Sequence, residues 1–239
     1  MAARLGLKMN SFPAGFRALV IGSTGAIGAA FVEQLEAMPG CAAVVGLHRQ
    51  SLPPIDFECE DSIAAAAAAL ALQAPFHLIV NATGLLHADG LMPEKKLAEL
   101  NYAQMQATFQ VNTFGPALLL RHFSGLLDRQ RGLLALLSAK VGSIEDNRLG
   151  GWYSYRASKA ALNMLVKTAA IEIKRSQPHS VVVAIHPGTV KSKLSKPFRG
   201  LEIGREPSIA AAEMLLVLDR LLPADSGQFF SYSGERLPW

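Results

Sequence analysis

Three glycines at steps of three, Gly22, Gly25 and Gly28, stand between an apolar run at residues 17–21 and a helix-patterned stretch at residues 26–38. A strand that turns sharply into a helix uses glycine there. Glycine tolerates positive φ and adds no side chain where backbone passes backbone. The helix that follows offers unpaired N–H groups and the positive end of its dipole, which suits a diphosphate. A glycine pattern alone is a weak signal, but between strand and helix it points to a nucleotide-binding unit.

The rest of the chain repeats this alternation. Apolar or β-branched runs at 17–21, 42–47, 55–57, 77–81, 133–137, 180–185 and 228–232 read as strands. Helices are expected at 26–38, 63–72 with Ser62 near the N-cap, 105–127, 155–175 and 208–222. Strands regularly separated by helices form a parallel sheet covered on both faces, with right-handed crossovers. The expected fold is therefore α/β: a single-domain Rossmann fold with a doubly wound parallel sheet of about seven strands. Half of the 239 residues are hydrophobic, enough for one core of that size. The domain is expected to cover residues 17–239. Residues 1–16 read as a flexible leader, or as lying upstream of a true start at Met9.

Several functions are disfavoured by composition. Charged residues make up 18%, the formal net charge is +4, and no run of Lys or Arg marks a nucleic-acid face. A mild positive excess helps an anionic cofactor approach. Cys41 and Cys59 make neither a disulfide framework nor a zinc spacing, so no metal is expected. No apolar run reaches the roughly 18 residues that would suggest a membrane span. With no export signal in residues 1–16, the expected location is the cytoplasm.

Ligands of such sheets bind beyond the carboxyl ends of the strands. Gly22-Ser23-Thr24-Gly25-Ala26-Ile27-Gly28 follows the first strand and is the expected diphosphate site. The second strand is followed by His48-Arg49-Gln50. A site for NAD(H) places an acid near this point for the ribose 2′-hydroxyl. Arg49 would instead pair a 2′-phosphate, with Ser23 or Thr24 as hydroxyl donors, so NADP(H) is expected in preference to NAD(H). Asp56, followed by Phe57, would accept from an adenine amino group or act as a turn acid. Asn81-Ala82-Thr83-Gly84 ends the fourth strand with small residues that let a ribose lie close.

Tyr155 and Lys159, four apart on a predicted helix, share one face. A neighbouring ammonium is expected to lower a phenol's pKa from its usual value near 10. A phenol so tuned passes a proton to or from a carbonyl oxygen while hydride moves at carbon.

In these features the chain resembles the short-chain dehydrogenase/reductase family, over nearly its whole length from Arg17. Within the family it looks closest to the C-factor-like and sniffer-type carbonyl reductases. The matching segments are VNATGLL from Val80, FQVNTFGPALLLRHF from Phe109, VGSI from Val141, GGWYSYRASKAALN from Gly150, HPGTVKSKL from His186 and the ending SGERLPW. The resemblance implies Tyr155 as general acid/base and Lys159 as holder of the nicotinamide ribose. It implies Asn112 as the residue that interrupts the long helix and holds a relay water. Pro187, Gly188, Val190 and Ser192 would receive the nicotinamide carboxamide. The substrate would be a small carbonyl/alcohol pair.

One position departs from the family pattern. The substrate-orienting serine usually stands three residues before Gly142, where this chain has Ala139. A one-residue shift in a strand reverses a side chain's face, but a bulge at the strand end would restore Ser138, so Ser138 is the expected orienting serine, with Ser143 as the substitute. His87 and His186 flank the expected cleft. Lys191, Lys193, Lys196 and Arg199 make a basic segment over it, and Trp152 and Tyr153 would add an apolar wall. The family's usual homodimer or homotetramer would pair through the long helices, with Leu118, Phe123 and Met164 as possible contacts. A rival reading is a nucleotide-binding signalling or regulatory protein of the C-factor type with little turnover.

Overall fold

Unbroken apolar strands mark a sheet buried on both faces. In the computed structural model, which describes residues 7–239, Leu78–Asn81 and Leu133–Leu137 are buried at every position. The elements run β1 (Phe16–Ile21), α1 (Ala26–Glu36), β2 (Cys41–Leu47), α2 (Glu60–Leu70), β3 (Leu78–Asn81), α3 (Tyr102–Phe109), α4 (Gly115–Phe123) and β4 (Leu133–Leu137). They continue with α5 (Tyr153–Ser176), β5 (Val181–His186), α6 (Gly200–Ile203), α7 (Pro207–Arg220) and β6 (Phe229–Ser231).

All six strands are parallel, in the order β2-β1-β3-β4-β5-β6. The chain winds outward in opposite directions from β1 and β3, so the switch point lies between their ends. One face buries Phe31 and Leu35 of α1 and Met214 and Leu218 of α7. The other buries Ile63 of α2, Leu119 and Phe123 of α4, and Leu162 and Val166 of α5.

The doubly wound architecture is the expected one, with six strands instead of about seven. Residues 55–57 are not a strand. Ile55 N–H donates to His48 O, and Asp56 N–H to Ser62 Oγ, so the segment folds back on itself instead of extending the sheet edge. Ser62 is thereby occupied away from any N-cap, and α2 starts two residues before it, at Glu60. The helix expected over 105–127 is divided by a π-helical turn at Gln110–Phe114. Of the outward contacts expected on the long helices, Phe123 is wholly buried and Leu118 packs against the core, while Met164 is exposed.

Part of the expected leader, residues 1–6, lies outside the described residues. Within the rest of it, Leu7, Met9 and Phe12 are buried on the α1–α7 face. Asn10 and Ser11 donate backbone N–H groups to the Asp219 carboxylate at 3.0 and 2.8 Å. No described helix is long and apolar enough to cross a membrane.

Candidate active site

The turn after β1 is built from glycine for steric reasons. Gly22 has φ +81°, and a Cβ there would lie 3.1 Å from the Ala82 carbonyl carbon. A Cβ on Gly28 would press into the Gly22 carbonyl, 2.8 Å from its carbon. Gly25 is the N-cap of α1 and has no side chain to cap it, so the first N–H groups, including those of Ala26 and Ile27, are left for another acceptor.

They open on a cleft of about 940 Å³ lined by Thr24, Gly25, Arg49, Asp56, Phe57 and Gly84, among others. Gly22, Ala82 and Thr83 also line it, so residues read from sequence at the ends of β1 and β3 and in the segment after β2 meet in one place. Two serve the walls instead. The Ser23 hydroxyl donates to Leu47 O at 3.2 Å. Asn81, buried, accepts from the Thr83 hydroxyl at 2.9 Å. Asp56 also accepts from Glu58 N–H at 3.0 Å, a turn-acid contact. Sequence reasoning missed Gln106 and Gln110, which line the far wall from α3 and the π-turn.

Tyr155 and Lys159 lie on α5, 9% and 3% exposed. The Lys159 ammonium donates to Leu137 O at 3.0 Å and stands 6.0 Å from the Tyr155 ring centroid. It is 3.8 Å from the place a Gly84 Cβ would occupy, so Gly84 keeps room in front of it. Burial pushes the Tyr155 phenol up to about 12 and Lys159 down to about 8. The expected depression of the phenol is corrected: with the ammonium turned to a strand carbonyl, desolvation dominates. At neutral pH Tyr155 is a neutral phenol beside a largely protonated lysine.

Asn112 sits in the π-turn, a helical irregularity that often marks functional sites. Its amide oxygen accepts from Leu85 N–H at 2.8 Å. Its amide nitrogen donates to Leu85 O at 2.7 Å and to Ser158 Oγ at 3.1 Å. Ser158 Oγ in turn donates to Tyr155 O at 2.8 Å. The loop beyond β3 is thus tied to the helix that carries Tyr155.

The expected placement of Ser138 is not met: its side chain follows strand alternation and points away from the substrate side. Ser138 Oγ donates to Asn163 Oδ1 at 2.7 Å, inside the protein. Ser143 Oγ donates to Trp239 O at 3.0 Å. Ala139 instead packs with Leu86 and Tyr155. No bulge turns Ser138, so the strand end presents a methyl group beside the phenol.

Leu194, Phe198 and Trp152 close over the same cluster, with Trp152 and Phe198 ring centroids 4.9 Å apart. Trp152 is a wall, as expected, while Tyr153 turns to a separate surface groove. His87 lies edge-on to Phe198. In the loop after β5, Gly188 packs on Tyr232 at φ +75°, Val190 turns into the core, and Ser192 Oγ donates to Ser195 Oγ at 3.1 Å. Pro187 is half-buried beside them. Two of the four basic residues above the cluster are paired, Lys191 with Glu206 and Arg199 with Glu202.

His186, at the end of β5, is held down to about 4 by burial and then by Lys140. Unfolded imidazole titrates near 6.5, so between these values the unfolded chain binds more protons. The stabilisation is complete above about 6.5 and is lost as pH falls through the window, by about 3 kcal/mol at most. His186→Gln is expected to flatten that part of the acid limb in urea unfolding measured across pH. An unaltered limb would refute the assignment.

A profile of the short chain dehydrogenases matches residues 17–200. The 1-hydroxy-2-glutathionyl-2-methyl-3-butene dehydrogenase of Rhodococcus sp. (strain AD45) is 32% identical over 187 residues, spanning 78% of this chain and 79% of that one. The C-signal of Myxococcus xanthus is 38% identical over 148 residues, 60% of this chain and 83% of that one. Among solved structures, the NADPH-bound carbonyl reductase from chicken fatty liver superimposes with a TM-score of 0.80. It is 25% identical and covers 95% of this chain and 100% of its own.

Proposed function

Because the chain belongs to the short-chain dehydrogenase family, we propose that this oxidoreductase is NADP(H)-dependent and interconverts a carbonyl and an alcohol, with Tyr155 as general acid/base. The observation that carries the reading is the buried Tyr155–Lys159 pair at the sheet's carboxyl edge, with the Lys159 ammonium beside Gly84, which lines the cleft beyond the glycine turn.

The residues present fit a nicotinamide dinucleotide. The turn excludes any Cβ at Gly28, α1 has an uncapped N-terminus, and the cleft runs from there to Gly84 beside Lys159. Gly22 to Gly28 would hold the diphosphate, and Asn81 to Gly84 a ribose. Pro187, Gly188, Val190 and Ser192 would border the nicotinamide end, the last two through backbone because their side chains are engaged elsewhere. When bound, the cofactor supplies or accepts the hydride.

In reduction, Tyr155 gives its phenolic proton to the oxygen of the substrate carbonyl as that oxygen gains charge. A phenol kept neutral by burial suits this direction at neutral pH. Lys159 holds the ribose and stabilises the phenolate left behind. Asn112 keeps the helix and the Leu85 loop in register. Orientation of the carbonyl rests on Tyr155 and the apolar wall, because Ala139 offers no hydroxyl.

Selection of NADP(H) over NAD(H) would rest on Arg49, which is exposed on the cleft wall and has no ion-pair partner among the described residues. Arg49→Ala is expected to raise the NADPH dissociation constant by about tenfold, the value of one charge-assisted contact, and to leave NADH nearly unaffected. Equal changes for both cofactors would remove Arg49 from the phosphate site.

The test of the whole reading is NADPH oxidation with a panel of aliphatic and aromatic aldehydes and ketones. Wild-type turnover is the expected result. NADPH binding without turnover anywhere in the panel would favour a second reading, a cofactor-binding signalling protein. The methyl group at Ala139 and the similarity to C-signal speak for that alternative. A cytoplasmic location and pairing of copies through the outer faces of α3, the π-turn, α4 and α5, where Tyr102, Phe114 and Met164 are exposed, complete the proposal.

A further inference from the structure

The helix that carries Tyr155 begins without a local cap. Its N-cap residue is Trp152, whose indole makes no capping bond. The chain reaches it through three successive residues in the left-handed region: Gly150 at φ +62°, Gly151 at +66° and Trp152 at +53°. For glycine this is ordinary; for a bulky aromatic residue it is strained and persists only where surroundings enforce it. The first turn of any helix also leaves N–H groups unpaired.

Both needs are met from 60 positions away. Glu94, 2% exposed, accepts from Ser154 N–H through Oε2 at 3.1 Å and from the Ser154 hydroxyl through Oε1. Its backbone carbonyl accepts from Trp152 N–H. No Lys, Arg or His pairs with Glu94 among the described residues. A buried carboxylate without a cation is costly unless its oxygens are hydrogen-bonded. Here the Ser154 donors and the positive end of the α5 dipole take that part. The reward is local order at the residue next to Tyr155, and in Trp152, whose ring centroid lies 6.1 Å from that of Tyr155.

Resting on the oxidoreductase reading above, we propose that Glu94 is a positioning residue for the reaction, fixing the first turn of α5 so that Tyr155 and Trp152 meet the substrate in register. Glutamine at this position keeps an acceptor for Ser154 N–H and a donor for its hydroxyl. Alanine leaves both Ser154 groups buried and unpaired.

The experiment compares wild type, Glu94→Gln and Glu94→Ala with NADPH and the best aldehyde of the panel. Glu94→Ala is expected to lose kcat by about 10- to 100-fold, the scale of a small misplacement of a reacting group. The KM for NADPH should move by less than about twofold, because the glycine turn is untouched, and Glu94→Gln should recover most of kcat. Wild-type kcat in Glu94→Ala would overturn the proposal, and so would a loss shared equally by kcat and NADPH affinity. If Glu94→Ala does not fold, Ser154→Ala decides. It removes one of the two bonds, and a kcat drop of about threefold or more supports the role, while an unchanged kcat overturns it.

Wild-type inactivity across the panel would count against the oxidoreductase reading alone. In that case Trp152 emission carries the test, made the only indole by Trp239→Phe. A red shift on adding Glu94→Ala supports the role, and an unchanged spectrum overturns it.

Discussion

Tyr155→Phe is expected to lower turnover by about 10²- to 10⁴-fold, the usual span for a lost general acid. NADPH affinity should hardly change. The substitution removes one hydroxyl and keeps the ring, so the apolar cluster of Leu86, Ala139, Trp152, Leu194 and Phe198 keeps its packing. The phenol is buried and held near 12, so deleting it removes a desolvated polar group, and the thermal midpoint should hold or rise slightly. Steady-state kinetics with the best panel substrate, beside a fluorescence titration with NADPH, separates chemistry from binding. Residual activity within about tenfold of wild type would mean that another group delivers the proton.

Gly28→Ala should have an effect of the opposite kind: loss of cofactor binding together with stability. An alanine in place of glycine inside a helix ordinarily stabilises it by about 0.5–1 kcal/mol. Here the added methyl would sit on the Gly22 carbonyl, and the obstacles, the Gly22 carbonyl group and Ser23 Cα, are backbone atoms that cannot swing aside. Relief requires α1 to move away from the turn, which opens the anion site and disturbs Phe31 and Leu35 in the core below. The expected result is a thermal midpoint several degrees lower, about 1 kcal/mol or more for a domain of this size, and no measurable NADPH binding. A variant more stable than wild type would show that the close approach does not exist.

Much of this site was legible in the chain because its chemistry is local. Glycine spacing, a Tyr and Lys one helical turn apart, and small residues at the end of β3 all act over a few residues. Ser138, expected from sequence to orient the substrate through a bulge, instead follows plain strand alternation and turns its hydroxyl to Asn163. Where reading failed, partners distant in sequence were responsible. Residues 55–57 have strand composition, but His48 and Ser62 draw them into a loop. The π-turn at Asn112 has no periodic signature and is anticipated by the family resemblance alone, since its extra residue is set by the Leu85 and Ser158 bonds it satisfies. Phe57 reaches its place only because Gly115, in another helix, lacks a side chain.

The amino-acid order by itself determined the class of fold, the position of the glycine turn and the placement of the proposed proton-transfer pair on one helix face, since backbone sterics and side-chain periodicity operate between near neighbours. The tertiary structure alone decided the ionisation of that pair, the covering of Tyr155 by Leu194 and Phe198, and the capping of its helix by Glu94. Those depend on how much water is removed and which distant groups replace it, and only the packed chain sets either quantity.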